Sequence, residues 1–321
     1  MAEQNILHLF PEELRGFFLS VSRCQEKIQE IRLRINQPIY VIENGKERFL
    51  DSQGQFRDFS EDVKILTGAE MKSIINHICR YSLYAYEDEL RQGFLSVQGG
   101  HRVGIAGQAV VAEKDVLRTI KYISGLNIRI AHEIKGAADQ VIPYVYKEGK
   151  ILNTLIISPP GCGKTTILRD LVRQVSDGNP YGQGMSVGVV DERSEIAGCY
   201  LGIPQNDVGI RTDVLDRCPK ARGMMMLIRS MSPGVVAIDE LGDLEEWKAL
   251  LYASYCGTGI LATMHGAGME DYMIHKNICI PEQEDIFDRC IVLRRRNQQC
   301  VIEEIYKKEN GEVWKCIYQR Y

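Results

Sequence analysis

The residues best suited to chemistry stand together in one short stretch, SPPGCGKTT, from Ser158 to Thr166. Upstream, ILNTLIIS is an apolar run that reads as a buried strand. Downstream, ILRDLVRQV repeats Ile167, Leu168, Leu171, Val172 and Val175 at helical spacing. A glycine-rich turn between such a strand and helix points consecutive backbone N–H groups at one spot, where the helix dipole adds positive charge. A phosphate fits there. Ser158, Pro159, Pro160, Gly161, Cys162, Gly163, Lys164, Thr165 and Thr166 then wrap the phosphates of ATP, with Lys164 at the β/γ-phosphates and the Thr165 hydroxyl a ligand to Mg²⁺. The pattern G-x-x-x-x-G-K-[ST] is met except at its first position. Ser158 stands there, and serine enters positive φ less readily than glycine.

Three further apolar runs end in polar residues. MSVGVVDE ends at Asp191 and Glu192, GVVAIDE at Asp239 and Glu240, and GILATMH at His265. Buried parallel strands that end this way set those residues along the carboxyl edge of the sheet, where ligands of such sheets bind. Asp239, after four apolar residues, reads as a Walker B aspartate holding the Mg²⁺ shell, and Glu240 as the group orienting an attacking water. Asp191 and Glu192 either join this constellation or cap their own strand. His265 shares a strand face with Leu261 and Thr263, and either senses a γ-phosphate or is a structural histidine. Arg193, Arg211, Arg217, Arg222 and Arg229 are the nearby cations that can meet phosphate charge. Arg229, in the helix before the Walker B strand, is the candidate within the same subunit. RGMMMLIRS reads as a core helix, and LRRR followed by Asn297-Gln298 as a solvated hairpin end.

The elements positioning these residues follow from the same patterns. A RecA-like α/β core is expected over residues 137–321, with GAADQVIPYVYKEG as a helix leading into the phosphate-loop strand. Residues 1–136 mix a helix over Pro11–Cys24, the strand pair EIRLRINQPIYVI, the helix GAEMKSIINHICRYSLYA, glycine-punctuated strands in GFLSVQGGHRVGIAGQAVV and a closing strand in ISGLNIRIAHE, an α+β domain. The 321 residues allow two such cores, and 45% hydrophobic with 26% charged residues is ordinary globular composition. A net charge of −4 gives no general attraction to nucleic acid or anionic lipid. Ten cysteines without C-x-x-C spacing exclude a zinc or disulfide framework and fit a reducing cytosol. The N-terminus lacks the apolar core of a signal peptide. ALLYASYCGTGILATMHGAGM has the length of a membrane span, but Gly257 and Gly259 divide it into a helix and a strand.

With these residues assembled, the chain resembles the stage III sporulation protein AA family, a sporulation branch of the secretion and pilus motor ATPases. VGVVDERSEIAGCYLGIPQNDVGIRTDVLDRCPKARGMMMLIRSMSPGVVAIDE, GHRVGIAGQAV and SGLNIRIAHEI carry the resemblance, which runs over nearly the whole chain. It implies ATP hydrolysis with Mg²⁺ by a RecA-like P-loop core working in a ring, expected to be a hexamer. It sets Asp191, Glu192 and Glu195 of DERSE in the place of the motors' acidic box, and His265 of TMHG in that of their histidine box. The motors often lack the Walker B aspartate. This chain has both Asp239 and Glu240, so the division of labour between Glu240 and the acidic box stays open. Arg102 in GHRVGIAG and Arg129 in LNIRIAHE match a domain whose arginines reach a nucleotide across the ring; the alternative is that each pairs with a nearby acid. The resemblance further implies a cytoplasmic, peripheral location at the mother-cell side of the membrane facing the forespore. The partners implied are integral membrane proteins of a channel encoded in the same operon, which would supply the only membrane contact. Two other readings stand beside it: a nucleic-acid-associated RecA-like ATPase, and a slow ATP-dependent switch gating a channel. The acidic charge and the lack of a basic stripe interleaved with aromatics argue against nucleic acid as a partner.

Overall fold

The computed structural model describes residues 5–58, 62–82, 86–111, 117–279, 285–296, 299–309 and 313–320. The chain divides into two units, Met1–His132 and Glu133–Tyr321. Glu133 and Lys135 belong with the second because the Glu133 carboxylate accepts from the Asp207 N–H and Lys135 pairs with the Asp207 side chain.

In the first unit, β1 (Ile28–Arg34), β2 (Tyr40–Glu43), β3 (Lys46–Leu50), β4 (Phe56–Arg57), β5 (Phe94–Ser96), β6 (Arg102–Val111) and β7 (Leu117–Arg129) form one antiparallel sheet, in the order β4-β3-β2-β1-β7-β6-β5. Alternation gives the sheet two unlike faces. Ile31, Leu33, Val103, Leu126 and Ile128 are buried, and the intervening Glu30, Arg32, Arg34, Arg102 and Arg129 face the other way. The helix expected over Pro11–Cys24 is broken into α1 (Glu12–Arg15) and α2 (Leu19–Arg23). Gly16 is a poor helix former, and the loop at Gly54 presses on the Phe17 carbonyl so closely that a Cβ there would stand 1.9 Å from its oxygen. Thr67 and Glu70 form a reciprocal capping box that starts α3 (Gly68–Ile78), which buries Met71, Ile74, Ile75 and Ile78. This helix is shorter than its pattern suggested, and Leu83, Tyr84 and Ala85 lie outside the described residues. α4 (Glu87–Gln92) ends at Gly93 in the left-handed region and leads into β5.

The second unit opens with little helix: α5 is only Ile142–Val145, and a hairpin of β8 (Tyr146–Lys147) and β9 (Lys150–Ile151) follows. Then come β10 (Thr154–Ser158), α6 (Lys164–Asp177), β11 (Val187–Asp191), β12 (Thr212–Asp216), α7 (Lys220–Ser230), β13 (Val235–Ile238), α8 (Leu244–Tyr255), β14 (Gly259–His265), α9 (Met269–Cys279), β15 (Arg289–Arg296), β16 (Gln299–Glu309) and β17 (Val313–Gln319). They build a sheet ordered β12-β11-β13-β14-β10-β15-β16-β17. It is parallel from β12 to β15 and antiparallel beyond, and Asn297 and Gln298 at the β15–β16 connection lie outside the described residues. The segment expected to mimic a membrane span is α8 followed by β14. Among the described residues no helix is long and apolar enough to cross a membrane.

The strand order sets the faces. β10 sends its chain through α6 towards β11, while β11's neighbours, β12 and β13, send theirs through α7 and α8 the opposite way. Right-handed crossovers in opposite directions put their helices on opposite faces. Accordingly Ile156, Val189, Ala237 and Leu261 pack with Leu168, Leu171 and Val175 of α6. Leu155, Val190, Ile238 and Ala262 pack with Leu227 of α7 and Trp247 and Leu250 of α8. Where neighbouring connections diverge in this way, the carboxyl edge opens into a crevice.

Candidate active site

Ser158 is the last residue of β10, fully buried and paired in register with His265 of β14. It lies in the extended strand rather than in the left-handed region, so the missing glycine of the loop pattern places no strain on it. The left-handed residues are Gly161 at φ +72° and Gly163 at φ +83°. They flank Cys162, whose neighbours' left-handed turns aim successive amides into one concavity. Gly163 also forms the N-cap of α6, so the concavity sits at the positive end of a fourteen-residue helix.

Inside it, Lys164 is buried and its Nζ lies 3.0 Å from His265 Nδ1. His265 Nε2 in turn lies 2.7 Å from Glu240 Oε1. Lysine only donates, which assigns His265 as the tautomer accepting at Nδ1 and donating from Nε2 to the carboxylate. One residue on, Thr165 Oγ1 donates to Asp239 Oδ2 at 2.5 Å, and the second Asp239 oxygen accepts from Thr263 Oγ1. The Thr263 hydroxyl also accepts the Glu240 N–H at 2.9 Å. Glu240 itself is left-handed at φ +56°, a conformation that costs a non-glycine residue about 1–2 kcal/mol.

The acidic loop after β11 meets this edge in a small cleft shared by Asp191, Glu192, Arg193, Glu195, Lys220, Asp239 and Glu240. Asp191 is buried and spends both oxygens on its own loop, accepting from the Glu195 and Ala197 N–H groups at 2.8 Å each. Burial pushes its carboxyl above the ordinary range against those donors, with Asp216 adding in the same sense. Glu192 lies 3.6 Å from Lys220 Nζ, and Arg193 donates to Glu240 Oε2. Two cations that strand-end reasoning passed over tie these pieces together. Lys220, at the start of α7, donates to the Glu240 carbonyl at 2.5 Å and pairs with Glu246 at 2.9 Å. Arg169, one turn beyond the phosphate loop, donates to the Glu195 and Ile196 carbonyls at 2.6 and 2.5 Å.

Arg229 is not brought to this edge. It is exposed at the far end of α7, just before the chain turns into β13, and so lies by the amino edge of the sheet. Arg102 and Arg129 are cross-strand partners on the polar face of the first unit's sheet. Arg129 pairs with Glu30 at 3.5 Å, and the Arg102 guanidinium sits 4.9 Å above the Phe94 ring.

The geometry has relatives. The second unit's fold, with its glycine loop between β10 and α6, belongs to the RecA-like architecture of secretion and pilus motors. The chain is similar to the structure of the pilus retraction motor PilT with bound ADP (TM-score 0.63, 14% identity, 96% of this chain and 84% of that one). It is also similar to the Legionella pneumophila ATPase DotB (TM-score 0.56, 16% identity, 89% of this chain and 78% of that one). In sequence it is 40% identical over 307 residues, 95% of each chain, to stage III sporulation protein AA of Bacillus subtilis. The sequence model described as sporulation stage III, protein AA matches residues 1–313, and the chain is a member of that family.

Proposed function

We propose that this protein is a Mg²⁺-dependent ATPase that drives a secretion-like channel complex during endospore formation. The observation carrying the reading is the hydrogen-bonded chain from Lys164 through His265 to Glu240, lying beside the Thr165–Asp239 pair at the mouth of the glycine loop. In this reading the loop amides and Lys164 hold the phosphates, Glu240 orients the attacking water, and His265 reports the γ-phosphate to Glu240. Thr165 and Asp239 would hold Mg²⁺. A hydroxyl and a carboxylate that already meet are the hard oxygen donors this ion prefers. Bound there, Mg²⁺ would offset the negative charge of the β- and γ-phosphate oxygens.

Asp191 then shapes the acidic loop, while Glu192 and Glu195 line the cleft. Family membership and the motor-like fold support a ring, expected to be hexameric, docked on integral membrane proteins at the mother-cell side of the membrane. Titration with a fluorescent ATP analogue tests the site. Lys164→Ala should abolish tight binding, while Glu240→Gln should keep binding and lose roughly 10²-fold or more in turnover. Wild-type affinity in Lys164→Ala sinks the reading.

One observation favours a nucleic-acid-associated ATPase instead. The fold gathers Arg32, Arg34, Arg102 and Arg129 on one polar sheet face, where Tyr40 and Phe94 lie under two of the guanidinium groups. Cations interleaved with aromatics suit single strands, and salt-dependent binding to single-stranded DNA decides between the two readings.

A further inference from the structure

The acidic loop combines a fixed backbone with an outreaching side chain. Its main chain is held from both sides. Asp191 accepts two of its amides, and Arg169, anchored in the helix that follows the phosphate loop, holds two of its carbonyls. Ser194, next to Arg193, is left-handed at φ +54°, a conformation that keeps the turn tight. From this fixed base the Arg193 side chain, 67% exposed, reaches the second oxygen of Glu240, which is only 20% exposed. Glu240 therefore meets a donor at each oxygen, His265 at one and Arg193 at the other.

Water poised by Glu240 must stand within about 3–3.5 Å of the γ-phosphorus. A guanidinium that touches the same carboxylate is thus one side-chain swing from the γ-phosphate oxygens. Among the other cations described near this edge, Lys164 is committed to the β/γ-phosphates in the proposed function, Lys220 is turned to main-chain and Glu246 oxygens, Arg169 holds the loop's own carbonyls and Arg217 lies 3.7 Å from Asp216, while Arg229 is at the opposite edge.

We infer that Arg193 is a catalytic residue acting within its own subunit: it rests on Glu240 and moves to the γ-phosphate oxygens as the transition state forms. The inference rests on the ATPase reading above. In the step it serves, the water oxygen bonds to the γ-phosphorus and the bond to the β–γ bridging oxygen breaks. The electron pair of that bond leaves with ADP, and a water proton passes to Glu240. Arg193 meets the charge spread over the equatorial oxygens, where a planar fork suits the geometry better than an ammonium. Its departure from Glu240 also frees a carboxylate oxygen to take hold of the water. The resting contact therefore keeps the base occupied until phosphate draws the arginine away.

The test uses the full-length chain with Mg²⁺-ATP, and with ADP plus aluminium fluoride as a mimic of the transferring phosphoryl group. Arg193→Ala should bind Mg²⁺-ATP within about threefold of wild type yet turn over about 10³-fold more slowly, the scale of an arginine that meets the γ-phosphate. It should bind ADP no more tightly with aluminium fluoride than without it. Arg193→Lys should stay well below wild type because the fork is lost. Mixing Arg193→Ala with Lys164→Ala subunits should restore nothing, since a residue acting in its own subunit cannot be supplied by a neighbour. Turnover within about threefold of wild type in Arg193→Ala, loss of its Mg²⁺-ATP binding, retained tightening by aluminium fluoride, or recovery on mixing each overturns the inference. A wild-type chain that neither binds nor hydrolyses ATP is a different result, and it overturns the proposed function itself.

Discussion

Replacing Lys220 by methionine keeps most of the aliphatic stem and removes one ammonium. That ammonium is largely buried, with the side chain 11% exposed, and it faces the Glu240 carbonyl and a Glu246 carboxylate that is 8% exposed. Breaking a buried ion pair from one side costs about 3–5 kcal/mol, and a charge-assisted hydrogen bond alone about 1.5–3 kcal/mol. Glu246 still accepts the Gly242 and Asp243 amides after the change, so the lower part of that range applies, about 2–3 kcal/mol. The consequence for turnover is separate. Glu240 is held left-handed from two sides, by Thr263 on its N–H and Lys220 on its carbonyl. Freed on one side, it can relax towards ordinary φ, and a carboxylate moved by about 1 Å loses roughly 10²-fold in rate. Nucleotide affinity should hold, because Lys220 touches neither the glycine loop nor Lys164. Urea denaturation followed at Trp247, fully buried in the helix that Glu246 caps, reads the stability. A cycle with Glu246→Gln isolates the pair: the double variant should cost at least about 1 kcal/mol less than the sum of the singles. Additivity within about 0.5 kcal/mol, or unchanged kcat in Lys220→Met, refutes the clamp.

Thr263→Val conserves shape and removes the buried hydroxyl joining Asp239 to the Glu240 amide; it should cost about 1–2 kcal/mol through the part-buried amide left without a partner, and a loss below about 0.5 kcal/mol contradicts the assignment. In the first unit, His101 is buried and accepts the Ala131 N–H at Nδ1. Burial, reinforced by His8 and His132, pulls its pKa from 6.5 down to about 4. The unfolded chain then takes up a proton below about pH 6.5 that the folded unit refuses, so stability falls with pH down to about pH 4, by up to about 3 kcal/mol. Hydrogen exchange of the β1 and β7 amides across that range should show the loss, and His101→Gln should flatten it. A parallel slope in the variant assigns the acid sensitivity elsewhere.

The parallel core was legible because each of its strands announces itself. Leu155–Ile157, Val187–Val190, Val235–Ile238 and Ile260–Met264 are buried on both faces, so their apolar runs are continuous and the polar residue ending each run marks the carboxyl edge. β12 was not legible. TDVLD at the sheet margin is only half-buried, and its two aspartates make it read as loop. The break at Gly16–Phe18 depends on a carbonyl meeting Gly54, a contact between segments far apart in sequence.

The same distinction separates the site residues that were foreseen from those that were not. Asp239, Glu240 and His265 end their own strands, so their shared edge follows from parallel pairing alone. Lys220 and Arg229 sit at opposite ends of one helix, and the sequence pointed to Arg229, not Lys220, as the cation for this site. Only the direction of α7, running back from the carboxyl edge of β12 to the amino edge of β13, delivers the first to Glu240 and carries the second away. Arg193 stands 47 residues before Glu240, in a loop whose course depends on β11 lying beside β13. A cation's part in this site is therefore set by strand order, and strand order was the property that motif spacing left undetermined.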